Sequence, residues 1–246
     1  ADTEDNNELI QSGSKTFTTL DAYKNRLTDE NKKVLYSTDE VSQSTALNMW
    51  TSQGKEVLKL DTVIDTQFIP WLEEKNKEIN FVRVDSELDE SIKDDSPEIA
   101  DKDGNTKSET LKKMISSALN NEKVTVQVQS LKGENSPPSL ILLPEQMRRI
   151  NDITALMEQK LPGLPEYHNL IVNSNHPLIQ GLLKLNSNPI VVEGSSKSEE
   201  VQLASDIAIH VYEMAKLSIG GLENKDIAAF QTRNAEVLGK LMKKFV

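Results

Sequence analysis

Residues 46–84, ALNMWTSQGKEVLKLDTVIDTQFIPWLEEKNKEINFVRV, alternate between two hydrophobic periods. Leu47, Met49 and Trp50 close a helical pattern whose end is marked by Gly54, the residue suited to a left-handed position after a helix. A strand follows at Val57, Leu58 and Leu60. The next pattern starts near Asp65 and carries Phe68, Ile69, Trp71 and Leu72, with Pro70 either in its first turn or kinking it. Phe81, Val82 and Val84 make a further strand. Upstream, a short helix places Leu20, Tyr23 and Leu27 on one face, with Thr18 and Asp21 at capping-box spacing, and a strand follows at Val34, Leu35 and Tyr36. Strands alternating with helices require parallel crossovers, so residues 16–86 are expected to form a small three-layer α/β subdomain behind a polar leader at 1–15.

Beyond this unit the composition changes. Between Asp85 and Asp103 stand nine acidic residues against two lysines, which predicts a solvated linker over 87–106. The run Asp101–Asn105 superficially resembles a calcium loop, but its glycine comes too early, and linker is the better reading.

Residues 107–246 then read as a separate α+β domain. A helix around Leu111, Met114, Ile115 and Leu119 leads to Val124, Val126 and Val128, whose alternation marks a strand with one buried face. Leu140 to Leu143 make another strand, and Pro144 opens a helix carrying Met147, Ile150, Ile153, Met157 and Leu161 along one side. Leu170, Ile171 and Val172 form a strand, after which Asn175 is the expected cap of a helix containing Pro177. The last fifty residues are two long helical patterns separated by Gly220 and Gly221, the first apolar over an unusually wide arc. Such surplus apolar surface suits a helix pair that doubles into a four-helix bundle across a two-fold axis. Pattern alone slightly favours packing of the pair on its own domain, and reads the Met147 stripe as core.

Several functions are disfavoured. A formal net charge of −11 argues against nucleic acid, no run reaches the roughly 18 apolar residues of a membrane span, and the absence of cysteine removes thiolate chemistry and fits a reducing cytoplasm. His168, His176 and His210 have no metal-ligand spacing, and neither a phosphate loop nor a GxSxG turn is present. The residues therefore read as a binding or assembly module rather than an enzyme, with no metal or cofactor. An unrecognised carboxylate pair in a hydrolase remains the enzymatic alternative.

The order of elements, and several short words within them, resemble the second half of the bacterial heat-shock protein 90 chaperones. Thr19–Tyr23 is similar to the family's small/Leu/acid/x/Tyr helix start, Val34–Tyr36 to its following strand, and Gly54–Leu58 with Ile64 and Asp65 to its Gly/x/Glu/Val/Leu and Ile/Asp elements. Phe81–Asp85 closes the block, Asn173–Pro177 resembles the Asn-Pro-x-His-Pro helix start, and Phe230 with Arg233 resembles a Phe/Arg pair of the last helix. The resemblance runs from Phe17 onward. Departures are Ser174 in place of proline, a shortened loop from Thr38 to Thr45, and Gln67 where an aromatic is frequent.

This resemblance implies the end of a middle domain followed by a C-terminal dimerisation domain of a cytoplasmic homodimer. It reverses the reading of the final fifty residues, implying a four-helix dimer interface formed by Val211, Met214, Ala215, Phe230, Val237, Leu238, Leu241 and Phe245. It also implies contact with non-native client proteins through Met147, Ile150, Ile153 and Met157, joined by Phe68 and Trp71. ATP and magnesium are expected in the full-length parent, upstream of these residues, and this stretch alone is expected not to be an enzyme. The alternative is an adaptor that binds one fixed partner through the same helices.

Overall fold

The computed structural model describes residues 10–12, 15–27, 32–88, 93–94, 106–133, 136–158, 167–187, 197–219 and 221–242. Within the expected leader, β1 (Ile10–Ser12) pairs antiparallel with β2 (Lys15–Phe17), a hairpin that the polar composition did not announce. Next comes α1 (Leu20–Arg26), capped by Thr19, whose hydroxyl accepts from the Ala22 N–H at 3.2 Å. The cap is one residue later than Thr18, which instead accepts from the Arg26 guanidinium.

The first sheet consists of β3 (Lys33–Ser37), β4 (Leu58–Lys59) and β5 (Asn80–Arg83), all parallel, with β3 central. The crossovers are α2 (Ser44–Ser52) and α3 (Val63–Lys75). Gly54 follows α2 at φ +73°, a conformation costly for any side chain with a Cβ. The two sheet faces are covered by different helices. Val34, Tyr36 and Phe81 meet Tyr23 of α1 and Ile69 of α3, whereas Leu35, Val82 and Val84 meet Met49 and Trp50 of α2. This is the three-layer arrangement expected of βαβ units. α3 runs through Pro70, well past its first turn, which forfeits one internal hydrogen bond. A capping box between Thr62 and Asp65 secures its start.

The second sheet is built from β6 (Val124–Gln129), β7 (Ser139–Leu142) and β8 (His168–Asn173), preceded by α4 (Lys107–Leu119). β8 is central, parallel to β6 and antiparallel to β7. Between these strands and after them lie α5 (Glu145–Glu158), α6 (Pro177–Ser187), α7 (Lys197–Ser218) and α8 (Asn224–Met242). One face of the sheet, with Val126, Ile141, Leu170 and Val172, packs on α4, α6 and α7. Its other face, with Leu140, Leu142 and Ile171, packs on Trp50, Met49 and Leu35 of the first unit. Burial on both sides explains why β7 is an unbroken apolar run rather than an alternating one.

The two expected units thus share a hydrophobic core. Part of the acidic stretch docks on the second unit: the Asp94 N–H donates to the Ser130 carbonyl at 2.7 Å, Lys93 bridges to Leu131, and the Asn175 side chain donates to Asp94. The remainder of that stretch, 89–92 and 95–105, including the calcium-like run, lies outside the described residues. Asn175 is not the cap of α6. His176, which directly precedes α6, takes that place, its Nδ1 accepting from the Leu178 N–H at 3.1 Å, while the Asn175 amide donates to Asp94.

Candidate functional site

Two sets of apolar side chains stay exposed on neighbouring helices. On α3, Ile69 is buried and Leu72 half-buried against the first sheet, so the helical period turns Ile64, Phe68 and Trp71 outward. The rings of Phe68 and Trp71 stack, with centroids 5.3 Å apart and planes 18° from parallel. On α5, Met147, Ile150 and Met157 are exposed at spacings of three and seven, one face of the helix. The side chain of Ile153 and the whole of Leu161 lie outside what is described. Met147 and its companions are therefore not core, the reading that periodicity alone had favoured.

What fixes α5 is a pair of adjacent arginines that hydrophobic patterning overlooks. Arg148 is buried, donates to the Tyr36 hydroxyl at 2.6 Å, and lies over that ring at 5.6 Å. Arg149 forms a two-pronged pair with Glu73 of α3, at 2.9 and 3.0 Å. Glu73 is itself oriented by the Phe81 N–H of β5, which donates to the same carboxylate at 3.0 Å. Partners 112 and 76 positions away in the chain leave no local signal in the sequence. Together they tie the start of α5 to β3 and to α3.

The terminal helices divide the other expected residues into two groups. Val211, Ala215 and Val237 are 1, 2 and 6% exposed and belong to the core of their own chain, where the Val211 carbonyl also accepts from the Ser139 hydroxyl. Being consumed there, they cannot also present a surface to a second copy. Met214 and Leu238 are 45 and 54% exposed, and Leu217 and Met242 are exposed as well. Phe230 is half-buried, stacked on His210 at 5.4 Å. The Leu241 side chain and Phe245 lie outside what is described. Between α7 and α8 run ion pairs Arg233–Glu213, Lys240–Asp206 and Lys216–Asp226. Burial lowers the pKa of His210, Glu213 opposes the shift, and Arg233 reinforces it. Burial likewise pushes the Tyr212 phenol up to about 12, beside its hydrogen bond with His168 at 3.0 Å.

Among the described residues no group of three His, Asp or Glu side chains could hold a metal ion, and no helix is long and apolar enough to cross a membrane. An arrangement of exposed apolar helix faces offers binding surface rather than reacting groups.

Comparison with known proteins adds the family. A model described as Hsp90 protein matches residues 9–244. The chain belongs to the Hsp90 family. Chaperone protein HtpG of Porphyromonas gingivalis is 31% identical to this Hsp90 chain over 191 residues, covering 71% of the chain and 27% of that protein. HtpG of Bacteroides fragilis is 30% identical over 167 residues, covering 65% and 24%, and that of Bacteroides thetaiotaomicron 29% identical over 170, covering 63% and 23%. This Hsp90 chain spans about a quarter of the length of the curated relatives it matches.

Proposed function

We propose that this Hsp90 chain is a homodimerisation and client-contact portion of an ATP-dependent chaperone that assists the folding of non-native proteins in the cytoplasm. The observation that carries the reading is the placement of exposed apolar side chains on two pairs of neighbouring helices, α3 with α5 and α7 with α8, in a chain of this family. The first pair supplies the client surface through Phe68, Trp71, Met147 and Ile150. Flexible methionines suit a surface that must accommodate many sequences. The second pair supplies the dimer surface through Met214, Leu217, Leu238 and Met242. ATP and magnesium are assigned to the parent's ATPase domain rather than to these residues.

Sedimentation equilibrium over a dilution series tests the dimer. The unaltered chain is expected to be dimeric at roughly 10 µM, a range typical of specific association. A Met214→Asp/Leu238→Asp variant is expected to be a folded monomer, because both side chains already face solvent in the single chain. A chain that stays monomeric at that concentration overturns the dimer assignment.

A further inference from the structure

With no cysteine in the chain, its six methionines carry all of its sulfur, and they divide by exposure. Met49 is buried beside Trp50 and Met114 packs against the second core, whereas Met147, Met157, Met214 and Met242 are 39, 80, 45 and 60% exposed. Methionine ranks among the residues most often buried, so four exposed out of six is the reverse of what packing alone selects. We propose that Met147 and Met157 form a reversible oxidation site, at which a peroxide turns the apolar face of α5 polar without disturbing the fold.

The attachment of α5 and its exposed face use different chemistry. The helix is tied down through nitrogen and oxygen, by Arg148 on the Tyr36 hydroxyl and Arg149 on the Glu73 carboxylate. Among the described residues of α5, the large apolar side chains left exposed are Met147, Ile150 and Met157, and two of these three are thioethers. Oxidation is a single oxygen transfer. A sulfur lone pair attacks the peroxide, the O–O bond breaks as the S–O bond forms, the sulfur loses two electrons, and hydrogen peroxide leaves as water. A methionine sulfoxide reductase reverses the change, two thiols becoming a disulfide while the oxygen leaves as water. The sulfoxide is polar and chiral, so it cannot make the apolar contacts that a flexible thioether makes. At Met49 the same change would disrupt the core, but burial shields that sulfur. Reaction is thereby directed to side chains on which the packing does not depend.

The consequence for binding rests on the client reading of α5; the site itself does not. The chain is treated with hydrogen peroxide, mapped by mass spectrometry of its peptides, and titrated by anisotropy against a fluorescein-labelled peptide of alternating leucine and lysine. Met147 and Met157 are expected to gain one oxygen each about tenfold faster than Met49, with the urea midpoint unchanged. Probe binding is expected to weaken about tenfold, the scale of removing roughly one methylene of burial from each of two side chains, and to recover after reductase treatment. Met214 and Met242 are exposed too, so a Met147→Leu/Met157→Leu variant assigns the effect: its affinities before and after peroxide are expected to agree. Oxidation of Met147 and Met157 no faster than Met49, or an equal loss of binding in the leucine variant, overturns the site. If Ile150→Ser weakens the probe but oxidation does not, the switch fails and the client surface on α5 stands. If Ile150→Ser leaves the probe affinity unchanged, the client reading of α5 fails instead, and the oxidation map alone decides for or against the site.

Discussion

Replacing Trp50 by alanine tests whether the two halves of the chain share one core. The indole is 2% exposed, donates through Nε1 to the Val84 carbonyl at 2.9 Å, and lies among Leu35, Met49, Val82 and Val84 on one side and Leu131, Leu140, Leu142 and Ile171 on the other. Truncation removes the largest side chain at that seam, and such a change costs about 3–5 kcal/mol through lost burial and residual cavity. The orphaned Val84 carbonyl adds to this unless water enters, about 1–3 kcal/mol when it stays buried. Against a total stability of about 5–15 kcal/mol, the expected loss is about a fifth or more. Urea unfolding followed by far-ultraviolet circular dichroism measures it without relying on the tryptophan removed. The unaltered chain is expected to unfold in one transition, shifted as a whole in Trp50→Ala. Trp50→Phe keeps most of the volume and is expected to lose about 1–2 kcal/mol, the scale of a hydrogen bond plus a small cavity. Two separate transitions, of which only the first moves, or a loss below about 1 kcal/mol, would refute the shared core.

Other consequences are more local. Asp85 and Arg83 form a buried two-pronged pair at 2.5 and 2.7 Å, so Asp85→Ala is expected to destabilise by about 3–5 kcal/mol in the same urea assay, chiefly by taking the carboxylate away from a buried guanidinium. Val237 and Leu238 are neighbours with opposite surroundings: at concentrations where the chain is monomeric, Val237→Ala is expected to cost about 2 kcal/mol and Leu238→Ala under about 0.5. Thr106 caps α4 with Glu109 in a reciprocal box, and Thr106→Ala is expected to cost about 1 kcal/mol. Burial lowers the pKa of both His176 and His210, so the fold prefers neutral imidazoles. Their contribution is complete above the ordinary histidine value of 6.5 and is lost as pH falls through their depressed values. Stability between about pH 7 and 5 is therefore expected to fall less steeply in a His176→Asn/His210→Gln variant than in the unaltered chain, as read by urea midpoints.

The alternation of strands and helices over 46–84 was legible because each crossover buries one helix face while β5 buries both of its own, which leaves distinct periods in the sequence. The caps were legible only approximately. Thr18 and Thr19 are chemically equivalent, and the choice between them depends on whether Thr18 is taken by Arg26. Asn175 carries the better cap chemistry, yet Asp94 engages its side chain and His176 takes its place. The exposed Met147 stripe was readable as amphipathic but not as outward-facing. Periodicity reports which residues share a face, whereas the direction of that face depends on where Arg148 and Arg149 find Tyr36 and Glu73.

The wide apolar arc of α7 illustrates the same ambiguity in energetic form. A helix with more than one apolar stripe needs more than one neighbour, and pattern cannot say whether they belong to its own chain or a second copy. Here α7 packs on β7, α4, α6 and α8, and Leu203, Ala204, Ile207, Ala208, Val211 and Ala215 are all buried by those elements. The arc is therefore explained within one chain and is no longer an argument for a dimer. Among the described residues, the exposed remainder includes Met214 and Leu217 on α7 with Leu238 and Met242 on α8, besides Val201 near the start of α7. Fully burying side chains of that size contributes about 1.5–3 kcal/mol each, and a two-fold interface counts every contact twice. That gain must exceed a cost of association of about 4–15 kcal/mol, so in the proposed dimer removing two such contributors per chain is expected to shift the equilibrium toward monomer. Affinity of the proposed dimer would then rest on residues that the fold does not need, so Met214→Asp/Leu238→Asp is expected to abolish it without unfolding the domain.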